Sequence, residues 1–206
     1  LRQVKDAWEV EQIKQAHGVN ARAFSETVAL LKPGVTEWEI AAELEYRLRK
    51  YSTGSSRLAF QSIVASGPNS ALPHASVSQR QMQAGDFVKF DFGATWNGYV
   101  SDCTRTVVLG KASERQRAMY DAVLTAQLEA IARIASGVPC AEVNNVAAES
   151  MTKAGYGDYI AHGLGHGSHV ATLLAASYIS DNYDYEGSAA GATPISFRVL
   201  NDQGRG

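Results

Sequence analysis

The sequence is poor in cysteine and proline and has no excess of charge of one sign. It contains two cysteines, Cys103 and Cys140, and five prolines among 206 residues. Two cysteines in a chain of this length exclude a small fold built on several disulfides, and they favour a reducing, cytoplasmic compartment. The formal net charge of −2 gives no reason to expect nucleic acid or an anionic membrane surface as a partner.

Long apolar runs are also absent. No stretch approaches the roughly 20 residues that a membrane-spanning helix needs, and the opening segment LRQVKDAWEVEQ lacks the apolar core of a signal peptide. The sequence does not begin with methionine, which leaves open that it starts inside a longer chain. Hydrophobic residues make up 45% and charged residues 19% of it, a balance typical of a packed globular domain.

Helical spacing of apolar residues predicts four helices. Their expected bounds are 5–31, 37–51, 113–136 and 140–154. The second and third begin with capping boxes, TEWE at 36–39 and SERQ at 113–116. One apolar stripe is expected along the third helix, made of Tyr120, Leu124, Leu128, Ile131 and Ala135.

The strand signals lie between the second and third helices. The sequence pattern predicts a strand at residues 60–66. It also predicts a hairpin whose two strands are residues 86–95 and 99–109. The hairpin is expected to turn at Asn97-Gly98, because this dipeptide is the strongest short signal for a two-residue turn.

Two segments resemble each other at an offset of 103 residues. KPGVTEWEIAAELEYRLRKYSTG (32–54) aligns with ASGVPCAEVNNVAAESMTKAGYG (135–157), and Gly34 matches Gly137. Each copy follows a long predicted helix. This repeat favours two related α-β halves, although amphipathic helices that follow a glycine can resemble each other without common ancestry.

The predicted hairpin carries two aspartates. If Trp96 faces Tyr99 across the turn, side-chain alternation places Asp91 and Asp102 on one face as diagonal neighbours, with Cα atoms about 7–8 Å apart. Converging carboxylates repel each other unless a proton or a cation lies between them, and divalent metals prefer such oxygen ligands. A solvated outer face with two ordinary aspartates is the alternative that spacing alone leaves open.

The chain has five histidines. His17 falls on a polar part of the first helix, and His74 lies in LPHAS. His162 and His166 would share one face of an extended HGLGH segment, and His169 follows. A histidine pair at this spacing is about as typical of packing as of chemistry, but several histidines combined with an aspartate pair favour a metal or acid–base site.

Three motifs together resemble a known family. PHAS, GDFVKFDFGATWNGYVSDCTRTVVLG and HGLGHG occur in the order and spacing of the pita-bread metallopeptidases, which include methionine aminopeptidase. They are most similar to its Xaa-Pro branch, aminopeptidase P and prolidase. The resemblance implies an α+β pita-bread fold, in which two pseudo-symmetric α-β halves contain antiparallel sheet.

The resemblance also implies a site and a reaction. Asp91, Asp102 and His166 would bind two divalent ions, usually Mn²⁺, Co²⁺ or Zn²⁺. His74 would lie near the reacting carbonyl, and His162 would help position the residue after the scissile bond. The implied activity is hydrolysis of the peptide bond before proline through a metal-bridged water, on peptides with proline in second position. A homodimer is expected, without nucleic acid or membrane partners.

The chain departs from the family pattern after the HGLGHG motif. The resemblance implies two further glutamate ligands, but Glu186 is the only glutamate after residue 167 and its context, YEGS, does not match. A third histidine expected a few residues after the motif is also unmatched, since position 173 is Leu173 and His169 is out of register. We therefore divide the chain into a metallopeptidase domain, 1–167, and an atypical tail, 168–206, and expect an incomplete second half.

The missing ligands affect the expected function. With only three protein ligands for two dications, we expect the chain to bind metal weakly or to bind a single ion. Its peptidase activity should therefore be impaired. The alternative is a catalytically inactive pita-bread domain that acts as a binding module. A plain structural α+β domain would leave the aspartates and histidines unexplained.

Overall fold

The computed structural model describes residues 5–52 and 57–160. The chain divides after Cys103 into two units, residues 1–103 and 104–206. The first of the two related segments, 32–54, falls in the first unit, and the second segment, 135–157, falls in the second unit.

The first unit begins with two helices, α1 (Ala7–Val28) and α2 (Glu37–Tyr51). Asp6 caps α1 in a capping box with Glu9. The predicted capping box of Thr36 and Glu39 is present at the start of α2. The predicted helix bounds are confirmed within three residues, because the capping side chains specify where each helix begins.

Four short strands follow in the first unit: β1 (Ile63–Ser66), β2 (Phe87–Phe92), β3 (Thr95–Trp96) and β4 (Tyr99–Val100). Strands β1 and β2 pair antiparallel, with Ile63 opposite Asp91 and Ser66 opposite Val88. Strands β3 and β4 form the predicted hairpin tip, in which Trp96 faces Tyr99.

The turn of this hairpin has the backbone that its sequence predicts. Asn97 and Gly98 have φ angles of 48° and 83°. Both central residues of such a turn need positive φ, which asparagine and glycine tolerate better than other residues.

Aromatic packing joins α1 to β2. The Phe24 ring contacts Phe90 edge-on at 5.3 Å between centroids and stacks on Phe92 at 5.6 Å. Val88, Phe90 and Phe92 are fully buried, so this face of β2 belongs to the core, as alternation along the strand predicted.

A buried carboxylate fastens the start of α2 to the chain that leads from β1 to β2. The Glu37 side chain is fully buried. Its Oε1 accepts from the Ser66 backbone N–H at 2.6 Å and from the Ser66 hydroxyl at 2.8 Å. Its Oε2 accepts from the Ser78 hydroxyl at 2.6 Å and from the Ser78 backbone N–H at 3.2 Å. Asn69 Nδ2 donates to both oxygens, at 3.1 and 3.3 Å.

Strand β5 (Cys103–Val108) crosses the unit division, and the second unit continues with helices α3 (Glu114–Arg133) and α4 (Cys140–Lys153). The Ser113 and Gln116 capping box is confirmed. Helix α4 begins instead after Pro139, which offers no capping side chain.

The predicted stripe on α3 is wrong. Leu128 and Ile131 are 51% and 39% exposed, whereas Val123, Ala126 and Ala130 are buried. Val123 and Ala126 form a small core with Met151 of α4, against which Tyr156 and Ile160 pack. The buried face of α3 is therefore the one that contacts α4, which the spacing of apolar residues along α3 alone does not reveal.

The helices of the described residues do not meet the requirements of a membrane-spanning helix. None of those in the described part of the chain combines the length and the apolar character that a bilayer crossing requires.

We predict that Glu37→Gln lowers the free energy of unfolding by about 3 kcal/mol, because a neutral amide gives weaker hydrogen bonds and turns its NH₂ group toward backbone and hydroxyl donors. Urea unfolding followed by circular dichroism measures the change.

Glu39→Gln is the matched control, two residues away on the same helical turn. Glutamine can still complete the capping box, so we expect a much smaller change. Equal losses in the two variants would contradict the assigned role of the buried carboxylate.

Candidate metal-binding site

Asp91 lies in a strand that is buried on both faces. Its side chain is 3% exposed, and Lys89, on the same face of β2, is 2% exposed. The opposite face is the Phe24 core. A solvated outer face is therefore excluded for Asp91, although spacing alone had left it open.

Asp102 lies between β4 and β5 and is half-buried. The predicted continuous hairpin is interrupted on both sides of its tip, at residues 93–94 and 101–102. Ser101 bridges the interruption: its backbone N–H donates to the Ala94 carbonyl at 2.9 Å, and its hydroxyl accepts from the Ala94 backbone N–H at 3.0 Å. This hydroxyl also lies 3.2 Å from the Ala16 carbonyl, to which it can donate.

Gly93 lets three segments meet at the interruption. A Cβ atom on this residue would lie 2.2 Å from the Ser101 carbonyl oxygen and 2.8 Å from Ala59 Cβ. The Gly93 carbonyl accepts from the Ala59 backbone N–H at 3.3 Å. The segment after Asp91 and the segment before Asp102 are thus held against each other, as close approach at a glycine allows.

The two carboxylates suit a hard cation. Oδ1 of Asp91 and Oδ1 of Asp102 are buried and receive no hydrogen bond from the described residues, although each of the two residues has another interaction. Carboxylate oxygens are the ligands that Mn²⁺ and similar divalent ions prefer. The chemistry and burial of the pair therefore fit the metal ligands that the sequence predicts.

Lys89 is a buried charge that the sequence interpretation missed. Its ammonium group donates to the Leu72 carbonyl and, at 3.3 Å, to the Pro73 carbonyl. Burial lowers the pKa of Lys89, and the nearby negative charge of Asp91 partly offsets this effect. The available signal was a lysine in the apolar run FVKFDF, two residues before the aspartate and so on the same face.

His74 follows directly after the carbonyls that Lys89 binds. It lies, with its side chain exposed, in the irregular segment after a short 3-10 helix, Gly67–Ala71. The structure therefore connects this histidine to the strand of Asp91 through the Lys89 side chain.

The remaining predicted site residues are the histidines of the HGLGHG segment. His162 and His166 lie outside the described residues, as do His169 and the boundary at residue 167. Among residues 5–52 and 57–160, no group of three or more histidine, cysteine, aspartate or glutamate side chains converges as a metal site. The roles of His74 and His162, and the metal set of Asp91, Asp102 and His166, stay predictions.

Comparison with known proteins identifies relatives that match most of this chain. The family model "Metallopeptidase family M24" matches residues 11–186. The Xaa-Pro dipeptidase of Pyrococcus furiosus is 40% identical over 167 residues, which are 81% of this chain and 47% of that protein. The chain thus spans about half the length of the curated relatives it matches.

Solved structures agree with this match. The X-Pro aminopeptidase from Thermotoga maritima superposes with a TM-score of 0.76 at 44% identity, over 81% of this chain and 47% of that one. The prolidase from Pyrococcus furiosus gives a TM-score of 0.76 at 38% identity, over 81% and 49%. These similarities confirm the predicted fold class, the α+β pita-bread fold with antiparallel sheet. Whether its second half is incomplete lies outside the described residues.

We predict that Gly93→Ala destabilises the protein by about 2–3 kcal/mol, because the added methyl group overpacks the contact with Ser101. The same substitution should weaken divalent-ion binding, since it separates the segments that carry the two aspartates. Urea unfolding and calorimetric titration with Mn²⁺ measure the two effects.

Gly18→Ala is the control. Gly18 lies within α1, where a Cβ atom would meet nothing within 4 Å, so alanine should stabilise the helix by about 0.5–1 kcal/mol. A Gly93→Ala variant as stable as the Gly18→Ala variant would show that the close contact at Gly93 is unimportant.

Proposed function

The chain belongs to metallopeptidase family M24, and on that premise we propose that it is an Xaa-Pro-type exopeptidase domain that hydrolyses the peptide bond before proline. One observation carries the proposal. Asp91, which is only 3% exposed, lies in β2 before the hairpin tip, and Asp102 follows that tip, both inside the region 40% identical to an Xaa-Pro dipeptidase.

The proposal gives each site residue a task. Asp91 and Asp102 provide carboxylate ligands for divalent ions, and His166 provides an imidazole nitrogen. When bound, such ions lower the pKa of a water molecule and polarise a carbonyl. His74 donates a hydrogen bond near the oxygen on which charge develops, where a fixed donor lowers the barrier most. His162 orients the residue after the scissile bond.

Three further features belong to the proposal. The ions are Mn²⁺, Co²⁺ or Zn²⁺, and the substrates are peptides with proline in second position. A reducing, cytoplasmic location is supported by Cys103 and Cys140, which form no disulfide. The active unit is a homodimer.

A second candidate is a binding module without catalysis. It is favoured by the composition after residue 167, where Glu186 is the only glutamate. Two dications need more negative charge than two aspartates supply, so a site with these carboxylates alone would hold metal weakly. Within this candidate the predicted site residues would bind a peptide without cutting it.

We predict at most one weakly held divalent ion per chain. After incubation with Mn²⁺ and desalting, mass spectrometry of the intact protein should show sub-stoichiometric metal.

Asp91→Asn should weaken Mn²⁺ binding at least about tenfold in calorimetric titration, because it removes a ligand charge. Asp121→Asn, at an exposed position of α3, should leave it unchanged. Two tightly held ions per chain would contradict the predicted deficit.

We also predict slow hydrolysis of Xaa-Pro peptides at saturating Mn²⁺, with little hydrolysis of matched Xaa-Ala peptides. Asp91→Asn should lower kcat/KM at least about 100-fold, because the cation that activates water loses its ligand. Chromatographic detection of released proline measures the rate. Peptide binding without any cleavage by the wild-type chain would favour the binding module.

A further inference from the structure

We infer that Lys89 is a positioning residue whose ammonium group fixes the backbone that presents His74 to the substrate. The inference rests on the proposed function, in which His74 lies near the reacting carbonyl. It adds a residue that is not among the predicted site residues and whose ammonium group contacts backbone carbonyls.

His74 belongs to a loop that is held at both ends. This His74 loop, residues 67–86, connects β1 to β2. Near its start, Asn69 donates to the buried Glu37 carboxylate. Toward its end, Arg80 forms an ion pair with Asp86 at 2.6 Å, and Arg80 also donates to the Ser66 hydroxyl at 2.6 Å.

The stretch around His74 is largely exposed, although Ala75 directly after it is buried. Leu72 is 55% exposed, and His74 is exposed as well. Directly before His74, the Leu72 and Pro73 carbonyls both accept from the Lys89 ammonium group. These two hydrogen bonds connect the histidine-bearing stretch of the loop to the interior of the unit.

The location of Lys89 explains why a strand would bury a lysine. Burying an ammonium group is costly unless its donors are satisfied, and an apolar side chain of similar size would fit the strand at lower cost. Lys89 and Asp91 are two residues apart on one face of β2, opposite Ala65 and Ile63 of β1. One strand therefore specifies the position of a proposed metal ligand and, through Lys89, that of the His74 backbone.

Kinetics of a double-mutant cycle test this role. The Lys89→Met variant keeps an unbranched side chain of similar length but loses the N–H hydrogen-bond donors of the ammonium group. We expect kcat for an Xaa-Pro peptide to fall about tenfold with KM changed less than twofold, because a misplaced His74 weakens an interaction made chiefly in the transition state. In a His74→Ala background the same change should have almost no further effect on kcat, since Lys89 acts through His74. Equal losses in both backgrounds would overturn the inference.

Hydrogen exchange supplies a readout that does not need activity. Lys89→Met should accelerate amide exchange at Leu72, whose N–H donates to the Asn69 carbonyl at 3.1 Å, at least tenfold, while amides of β1 and β2 exchange at wild-type rates. Lys14→Met, at an exposed position of α1, is the matched control and should change neither set. Uniformly faster exchange would show that Lys89 serves general stability and would contradict a positioning role.

A milder variant keeps the test decisive if Lys89→Met does not fold. Lys89→Gln retains a hydrogen-bond donor without the charge, so exchange in the His74 loop should lie between the wild-type and the Met values. Wild-type exchange in this variant together with unchanged kcat would also overturn the inference.

The two readouts separate this inference from the proposed function. If the wild-type chain cleaves no Xaa-Pro peptide, the peptidase proposal fails, and hydrogen exchange still decides whether Lys89 holds the His74 backbone. If cleavage is present and loop exchange does not respond to Lys89, the peptidase proposal stands and the positioning role is wrong.

Discussion

The buried Glu37 carboxylate is the interaction on which the architecture of the first unit depends. It accepts hydrogen bonds from Ser66 at the end of β1, from Asn69 in the following 3-10 helix and from Ser78 further along the loop. One carboxylate therefore joins the start of a helix, the end of a strand and two points of the connecting loop. A buried charge with this many donors is costly to displace, so it specifies a single arrangement.

Strand β2 extends this arrangement to the candidate site. Its apolar face packs on Phe24, whereas the other face carries Lys89 and Asp91, both almost fully buried. Because side chains alternate strictly along a strand, packing of the first face determines the direction of the second. A one-residue change of register would place the aspartate in the aromatic core, so the hydrophobic pattern itself protects the orientation of the carboxylate.

The sequence predicted features that depend on nearby residues. The capping boxes at Thr36 and Ser113 and the turn at Asn97-Gly98 appear as expected, because each needs only side chains and backbone within three residues. The apolar stripe on α3 was wrong, since its buried face is set by contact with Met151 of α4, far along the chain. The hairpin interruption was missed for a similar reason: the glycine at 93 signals close approach but not which segment approaches.

The sequence by itself determined the family and the four helices, because both can be recognised from motif order and residue spacing without knowledge of contacts. It also predicted the candidate ligands. Tertiary structure decided that Asp91 is buried rather than solvated, and that a lysine in the same strand reaches the carbonyls before His74. Both facts depend on packing between residues distant in the chain. Local sequence patterns predict which face of a strand a side chain occupies. Only the folded unit determines whether that face contacts water, a carbonyl group or another charge.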